Sequence, residues 1–197
     1  LEFLHPPSKS AVPLAPDLLN VKLYLAAQGF SVRDAQRDGL ALDKRSAITV
    51  WLANNVRLLE NFVRNLNAAA GYYDPKDKSR QNPLLPPARG QVEEEAVKLL
   101  TGADLLEDAG GRIRVPEKHA DYLRGGWLEE YCWAIGRELE REGLIKRSRF
   151  DINVKIDPID QTRPDRYPLN ELDAVFVHRN RMLIIECKTG AQLGDDS

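Results

Sequence analysis

The stretch NELDAVFVHRNRMLIIECKTG, residues 170–190, restricts the fold of this chain more than any other part of its sequence. Two runs of alternating apolar residues flank a short polar break, and this pattern predicts a β-hairpin. We take Arg179 and Asn180 as a two-residue turn, which sets the register of the two strands. A three-residue turn would shift that register, so the face on which each side chain lies depends on the turn.

Four charged side chains fall on one face of this hairpin: Glu171, Asp173, Glu186 and Lys188. In the two-residue register, Asp173 lies opposite Glu186 and Glu171 lies opposite Lys188. Opposed carboxylates repel each other unless a cation neutralises them, and oxygen ligands suit Mg²⁺ or Mn²⁺. Lys188 would then hold an attacking water or stabilise charge on a phosphate. The alternative is a surface ion pair between Glu171 and Lys188, with the other two acids solvated.

The first part of the chain predicts a linker followed by a helical region. Residues 1–16 are rich in proline and predict the linker. In the helical region, 17–90, a short helix begins at Asp17, a longer helix runs from Ser46 to about Ala70, and a proline-rich connection follows. Apolar residues of the longer helix form a heptad seam, which favours packing in a small helical domain. A homodimer built on this helix is the alternative.

Residues 91–124 have the outline of a winged-helix module. The pattern predicts a helix, a turn at Gly102, a short second helix in ADLLED (103–108), and a strand pair around Gly110 and Gly111. The second helix is acidic and would repel phosphates. A structural or dimerising role is therefore favoured over reading of a DNA groove.

The last part of the chain, 125–197, predicts one helix followed by three strands. Residues 125–143 are amphipathic and end at a glycine, which is typical of a helix. Residues 150–156 alternate strictly between apolar and polar, which predicts a strand before the hairpin.

Composition and charge exclude several classes of protein. A net charge of −2 gives no global attraction for nucleic acid, so a local basic patch would be needed. The two cysteines, Cys132 and Cys187, are too few for a disulfide scaffold, and both lie in strongly patterned segments that favour buried, reduced thiols. With no signal peptide and no run of 18 apolar residues, we expect a cytoplasmic protein without a membrane partner.

Asp173 and Glu186-x-Lys188, preceded by the acids of the helix motif WLEE (127–130), resemble the PD-(D/E)xK nuclease superfamily. The longer pattern from GGWLEEYCW to ECKTG is similar to CRISPR-associated nucleases in which a sensor domain for cyclic oligoadenylate is fused to such a domain. The resemblance covers about residues 122–190. It implies a core that continues beyond the E-x-K strand, so we expect the chain to be a piece of a longer protein.

The resemblance also implies a role for each site residue. Asp173, Glu186 and the backbone carbonyl of Cys187 would bind the metal, and Lys188 would position or activate the water. The helix acid would be Glu129 or Glu130. We choose Glu129 because residues three, four and seven positions later are apolar or small, whereas Glu130 is expected to be solvated.

Weaker candidates for contacts with a nucleic-acid backbone surround the predicted site. They are Lys146, Arg147, Arg149, His178, Arg179 and Arg181.

These observations together predict an α/β chain with a helical, winged-helix-like N-terminal region and a restriction-endonuclease-like, mixed-sheet core that is incomplete at its C-terminus. The expected function is metal-dependent hydrolysis of DNA or RNA in prokaryotic CRISPR antiviral defence. The resemblance implies a homodimer whose cyclic oligoadenylate activator binds a sensor domain outside this chain. The alternatives are a non-catalytic nucleic-acid-binding or dimerisation fragment, and a restriction or repair nuclease without cyclic-nucleotide control.

Overall fold

A computed structural model describes residues 19–36, 39–74, 83–159 and 170–189. The helices are α1 (Val21–Ala27), α2 (Gly39–Asn55), α3 (Glu60–Ala70), α4 (Gln91–Gly102) and α5 (Trp127–Arg141). The strands are β1 (Phe30–Gln36), β2 (Glu107–Asp108), β3 (Ile113–Arg114), β4 (Phe150–Pro158), β5 (Asn170–His178) and β6 (Arg181–Ile185). The predicted linker and the Asp17 helix start lie outside the described residues. Within those residues, α1 follows Asn20, whose side chain accepts a hydrogen bond from the Leu23 amide at 2.8 Å.

A four-stranded sheet with the order β1-β4-β5-β6 forms the centre of the fold. The order α5, β4, β5, β6 confirms the predicted helix and three strands. Every pairing among the described strands of this sheet is antiparallel, where a mixed sheet was expected. Strand β1 was not predicted, because its register with β4 shifts twice between Val32 and Gln36, and an irregular strand lacks simple alternation.

The hairpin has the predicted two-residue turn. Arg179 and Asn180 have φ angles of 48° and 57°, the left-handed pair that a type I′ turn requires. Val175 pairs with Ile184 and Val177 with Met182, so the predicted register is confirmed from His178 back to Ala174.

Strand β4 changes the side on which its apolar residues are buried. Phe150 and Ile152 pack with Trp133 of α5, whereas Val154 and Ile156 pack in the cluster that contains α1. Asn153 lies between these pairs with φ of 51°, a left-handed conformation that interrupts the pleat. The predicted strict alternation was therefore wrong beyond Ile152, and the sheet is covered by α5 on one face and α1 on the other.

The helical region differs from its prediction at two places. The single helix expected from Ser46 to Ala70 is two helices, α2 and α3, separated at residues 56–59. The Asn55 side chain donates to the Trp51 carbonyl at 2.8 Å, and Leu59 is completely buried where the chain bends.

The predicted second helix of the winged-helix outline is absent, because residues 103–106 form turns. Leu105 and Leu106 point into the core that also contains α3 and α4, and burying two adjacent leucines favours a turn here. The strands β2 and β3 confirm the predicted pair around Gly110 and Gly111. Across the described ranges, no helix combines the length and the apolar character needed to cross a bilayer.

Candidate active site

A cleft of about 910 Å³ is lined by residues of the sheet, of α5 and of the segment 118–126 that precedes α5. Its lining is mostly polar and carries both signs of charge. The lining residues that concern the chemistry are Arg45, Lys118, His119, Arg124, Glu129, Asn153, Lys155, Glu171, Cys187, Lys188 and Thr189.

Glu129 lies in the first turn of α5 and is half-buried at this cleft. Burial raises the pKa of its carboxyl, and a hydrogen bond from Asn153 opposes that rise. The nearby negative charges of Asp173 and Glu171 raise the pKa of Glu129 further. Carboxylates of β5 therefore lie close enough to Glu129 of α5 for their charges to act on it.

Asp173 is half-buried in β5 and holds the end of β6. The backbone amide of Cys187 donates a hydrogen bond of 2.6 Å to the Asp173 Oδ2. Because β6 ends at Ile185, main-chain pairing does not continue to Asp173 and Glu186. Glu171 pairs with Lys155 of β4 in the sheet register, and Lys188, beyond the end of β6, has no strand position opposite it.

Glu186 and Lys188 form an ion pair with each other at the surface. Their side chains are 60% and 63% exposed, and the Lys188 Nζ donates to the Glu186 Oε1. This hydrogen bond and the charge of Glu186 raise the pKa of Lys188. Lys188 lines the cleft with Glu129, whereas Glu186 is outside the described part of its lining.

The thiols of Cys132 and Cys187 lie where α5 packs against the sheet. The Cys132 Sγ and Cys187 Sγ are 4.0 Å apart and both are free. Cys132 is buried as predicted, whereas Cys187 is only partly buried, because it lies beyond the end of β6. The hydrogen bond to Cys132 and burial raise the pKa of the Cys187 thiol. The side chain of Cys187 thus belongs to the packing against α5, while its backbone carries the contact to Asp173.

Glu129 and Asp173 have the chemistry of ligands for a hard divalent cation. Two neighbouring, half-buried carboxylates, of which Glu129 has a raised pKa, are stabilised by a cation between them. Within the described ranges, no three side chains of His, Cys, Asp or Glu already converge as a complete ligand set. Recruiting Glu186 as the third carboxylate would require it to turn away from Lys188.

Glu130 is buried, and its expected solvation was wrong. Only 6% of Glu130 is exposed, and its carboxylate accepts hydrogen bonds from the guanidinium of Arg45, one of them at 3.1 Å. Burial raises the pKa of Glu130, while Arg45 opposes the rise. Arg45 also lies over the Tyr122 ring, 5.0 Å from its centroid. Glu130 therefore lines the cleft as a buried carboxylate that is already paired with Arg45.

The structure places the six predicted basic contacts away from this cleft. Arg149 is 4% exposed, so it is unable to reach a nucleic acid. Arg147 stacks 4.1 Å from the Trp133 ring and donates to the Phe150 carbonyl at 2.7 Å, which makes it part of the packing. Lys146, His178, Arg179 and Arg181 are exposed. The last three lie at the hairpin turn, about 17 Å along β5 from Asp173.

Besides Lys188, the described lining of the cleft contains four cations that sequence reasoning missed, namely Arg45, Lys118, Arg124 and Lys155. Lys155 had a usable signal, since it lies on a predicted strand and pairs with Glu171. The others come from segments that approach the sheet only in the folded chain.

Comparisons with known proteins give one family match and several similar solved structures. Residues 116–197 match the model of a family described as Card1-like, endonuclease domain. Among solved structures, Can2 from Sulfobacillus thermosulfidooxidans, in complex with cyclic tetra-adenylate, is similar with 26% identity and a TM-score of 0.59, and the match covers 87% of this chain and 42% of that one. Protein VC1899 from Vibrio cholerae is similar in fold, with 20% identity, a TM-score of 0.64, and coverage of 87% and 44%. No curated protein sequence is significantly similar to this chain.

The chain thus spans less than half the length of either solved structure. The endonuclease-domain match ends at the same residue as the chain and begins eleven residues before α5, so it includes every residue of the candidate site from Glu129 to Lys188. This match and the likeness to Can2 support the interpretation of the chain as part of a CRISPR-associated nuclease.

Proposed function

We propose that this chain carries the catalytic residues of a metal-dependent nuclease of the PD-(D/E)xK type that hydrolyses phosphodiester bonds in DNA or RNA. The observation that carries the proposal is that Glu129 and Lys188 line one cleft while the negative charge of Asp173 lies close enough to act on the Glu129 carboxyl. The match to an endonuclease domain over residues 116–197 supports it independently.

Glu129, Asp173, Glu186 and the Cys187 carbonyl would hold Mg²⁺ or Mn²⁺. The ion, when bound, supplies a Lewis acid for the phosphate oxygens and lowers the pKa of a coordinated water. The hydrogen bond from the Cys187 amide fixes one oxygen of Asp173, which leaves the other free for a cation. To hold the ion, Glu186 would have to give up its contact with Lys188, and the lysine ammonium would then be free.

Lys188 then acts on the attacking water or on the charge that develops on the phosphate. Lys188 lines the cleft and contacts Glu186. A short rotation of its side chain would therefore move the ammonium from the ion pair with Glu186 to the attacking water or the phosphate. Lys118, Arg124 and Lys155 provide positive charge around the same cleft, and they are the residues we assign to contacts with the nucleic-acid backbone.

The relation to Can2, described in complex with cyclic tetra-adenylate, extends the proposal to control of the activity. We assign the binding of a cyclic oligoadenylate to a sensor domain outside this chain, and the active form to a homodimer in antiviral defence.

A cleavage assay tests the proposal. Labelled single-stranded DNA, single-stranded RNA and supercoiled plasmid are incubated with the protein in Mn²⁺, Mg²⁺ or EDTA, with and without cyclic tetra-adenylate. We expect cutting that requires metal and is lost in Glu186→Ala and Glu129→Ala. The exposed acid Glu142 provides the matched control, because Glu142→Ala removes the same charge outside the cleft.

Cutting that persists in EDTA or in Glu186→Ala would exclude the proposed chemistry. Absence of cutting under all conditions, in the longest available form of the protein, would favour a non-catalytic binding fragment. Cutting that is indifferent to cyclic tetra-adenylate in that form would favour a restriction or repair nuclease.

A further inference from the structure

Residues 186–189 leave the sheet at the end of β6 and are held at both ends by hydrogen bonds. At one end, the Cys187 amide donates to Asp173 Oδ2 at 2.6 Å. At the other end, Thr189 Oγ1 accepts from Asn67 Nδ2 at 2.7 Å and donates to the Arg124 carbonyl at 2.8 Å. The catalytic lysine of the proposed mechanism, Lys188, lies between these anchors.

Both partners of Thr189 belong to rigid parts of the helical region. Asn67 follows the fully buried Leu66 on α3, so the core fixes the backbone from which its amide extends. The Arg124 carbonyl follows Leu123, which is 1% exposed, in the tight turn that leads into α5.

The contact between Thr189 and this turn is close as well as polar. A Cβ atom placed on Gly125 would lie 3.3 Å from Thr189 Oγ1, so the glycine lets the threonine reach the Arg124 carbonyl. A single hydroxyl thus joins α3, the turn before α5 and the segment of Lys188.

We propose that Thr189 and Asn67 are positioning residues for Lys188 and Glu186, an inference that rests on the proposed nuclease function. Among the residues that the structure describes, 186–189 have no main-chain strand partner, because the ladder of β5 and β6 ends at Ile185. Removing the Thr189 anchor leaves the hydrogen bond of the Cys187 amide to hold the backbone on one side of Lys188. The side chain then samples positions around the attacking water, and a misplacement of about 1 Å costs on the order of 100-fold in rate.

A role in folding stability alone predicts a different result. Losing the two hydrogen bonds of Thr189 would then lower the amount of folded protein without changing kcat per folded molecule. A change in kcat with little change in KM therefore separates positioning from stability.

The test compares three variants of the full chain with wild type in the Mn²⁺ cleavage assay. Thr189→Val keeps the shape of the side chain but removes the hydroxyl, and we expect kcat to fall about 10- to 100-fold with KM nearly unchanged. Thr189→Ser restores the hydroxyl, so we expect it to recover most of the activity. Asn67→Leu removes the amide that donates to Thr189, and we expect the same loss of kcat as for Thr189→Val. The double variant should lose no more activity than either single variant.

Tyr73→Phe is the matched control. The Tyr73 hydroxyl donates to the Val115 carbonyl at 2.9 Å, so this variant breaks a hydrogen bond of similar length in the same helical region without touching residues 186–189. We expect its kcat to equal that of wild type. An unchanged kcat in Thr189→Val, or an equal loss in Thr189→Ser, would overturn the inference.

Hydrogen exchange of the backbone amides of residues 186–189 supplies a readout that needs no activity. We expect faster exchange in Thr189→Val that is confined to this segment, and wild-type rates in Tyr73→Phe. If the wild-type protein fails to cut any substrate, the proposed function fails, and unchanged exchange in Thr189→Val would then refute the anchor separately.

Discussion

The backbone amide of Cys187 donates a 2.6 Å hydrogen bond to the carboxylate of Asp173. This contact replaces the main-chain pairing that would have continued beyond Ile185, and it brings the E-x-K segment next to the acid of β5. The side chain of Asp173 therefore has two separable properties, an acceptor that holds the backbone and a negative charge that fits a cation.

Asp173→Asn separates these properties. The amide oxygen of asparagine still accepts from Cys187, so we expect a thermal unfolding temperature close to that of wild type. The lost charge weakens cation binding, and we expect cleavage in Mn²⁺ to fall at least about 100-fold.

Asp173→Leu removes the acceptor as well. It leaves the partly buried Cys187 amide unpaired, which costs about 1–3 kcal/mol. Measuring unfolding and cleavage for both variants checks the prediction, and equal destabilisation by asparagine and leucine would show that the charge, rather than the acceptor, holds the segment.

Local patterns were sufficient to predict the hairpin, because alternation and a two-residue turn define its register over neighbouring residues. The same information left out contacts between distant parts of the chain. Glu130 looked solvated because its partner Arg45 is 85 residues away, and the bond between Asn67 and Thr189 spans 122 residues. Strand β1 was not predicted because its irregular pairing breaks the side-chain alternation on which a strand prediction depends.

The chemistry of the site was predictable in part for the same reason. Glu129 was chosen from the small and apolar residues that follow it on its own helix, and the structure places it at the cleft near Asp173. Prediction failed for Arg147 and Arg149, which looked like surface cations. Stacking on Trp133 and burial are tertiary effects that leave no local pattern.

Gly136 is required for the packing of α5 on β4. A Cβ atom at this position would lie 2.3 Å from the Phe150 ring, which is completely buried and has no space to move. We expect Gly136→Ala to lower the free energy of unfolding by about 1–3 kcal/mol, as overpacking does in other cores. Urea unfolding followed by tryptophan fluorescence measures this change.

Gly102→Ala is the control for that variant. Gly102 is also the residue of a helix, but nothing lies within 4 Å of its added Cβ. We expect no loss of stability from it. A stable Gly136→Ala protein would mean that Phe150 and α5 can separate without cost.

The ion pair of Arg45 and Glu130 contributes to stability because Glu130 is almost completely buried. Arg45→Met leaves an unpaired carboxylate in the interior, and breaking a buried pair costs about 3–5 kcal/mol. The partial exposure of Arg45, 29% of its side chain, places the expected loss at the low end of this range.

Arg137→Met provides the comparison at the surface. Its partners are Glu140, one turn along α5, and Asp43 at 3.8 Å. The Arg137 side chain is 43% exposed, so we expect a loss below about 1 kcal/mol. Chemical unfolding of both variants tests the difference. Similar losses in the free energy of unfolding for Arg45→Met and Arg137→Met would show that burial does not increase the cost of breaking the pair with Glu130.

Glu129 makes the stability of the metal-free protein depend on pH. Its pKa in the folded chain is raised above the ordinary value of 4.5, chiefly by burial. A raised pKa means that the folded state binds the proton more tightly than the unfolded state does. The stabilising contribution is therefore fully present below pH 4.5 and is lost as the pH rises through the folded pKa.

Glu129→Gln removes this titration, so we expect the variant without metal to be more stable than wild type at neutral pH. The difference should narrow as the pH approaches 4.5 from above. Adding Mn²⁺ at neutral pH should raise the unfolding temperature of wild type more than that of Glu129→Gln, because only the wild-type carboxylate attracts the cation. Thermal unfolding across pH, with Mn²⁺ or EDTA, measures both effects. An equal Mn²⁺ response in the two proteins would remove Glu129 from the metal site, whereas a lower stability of the variant in EDTA would mean that its charge is already compensated within the folded chain.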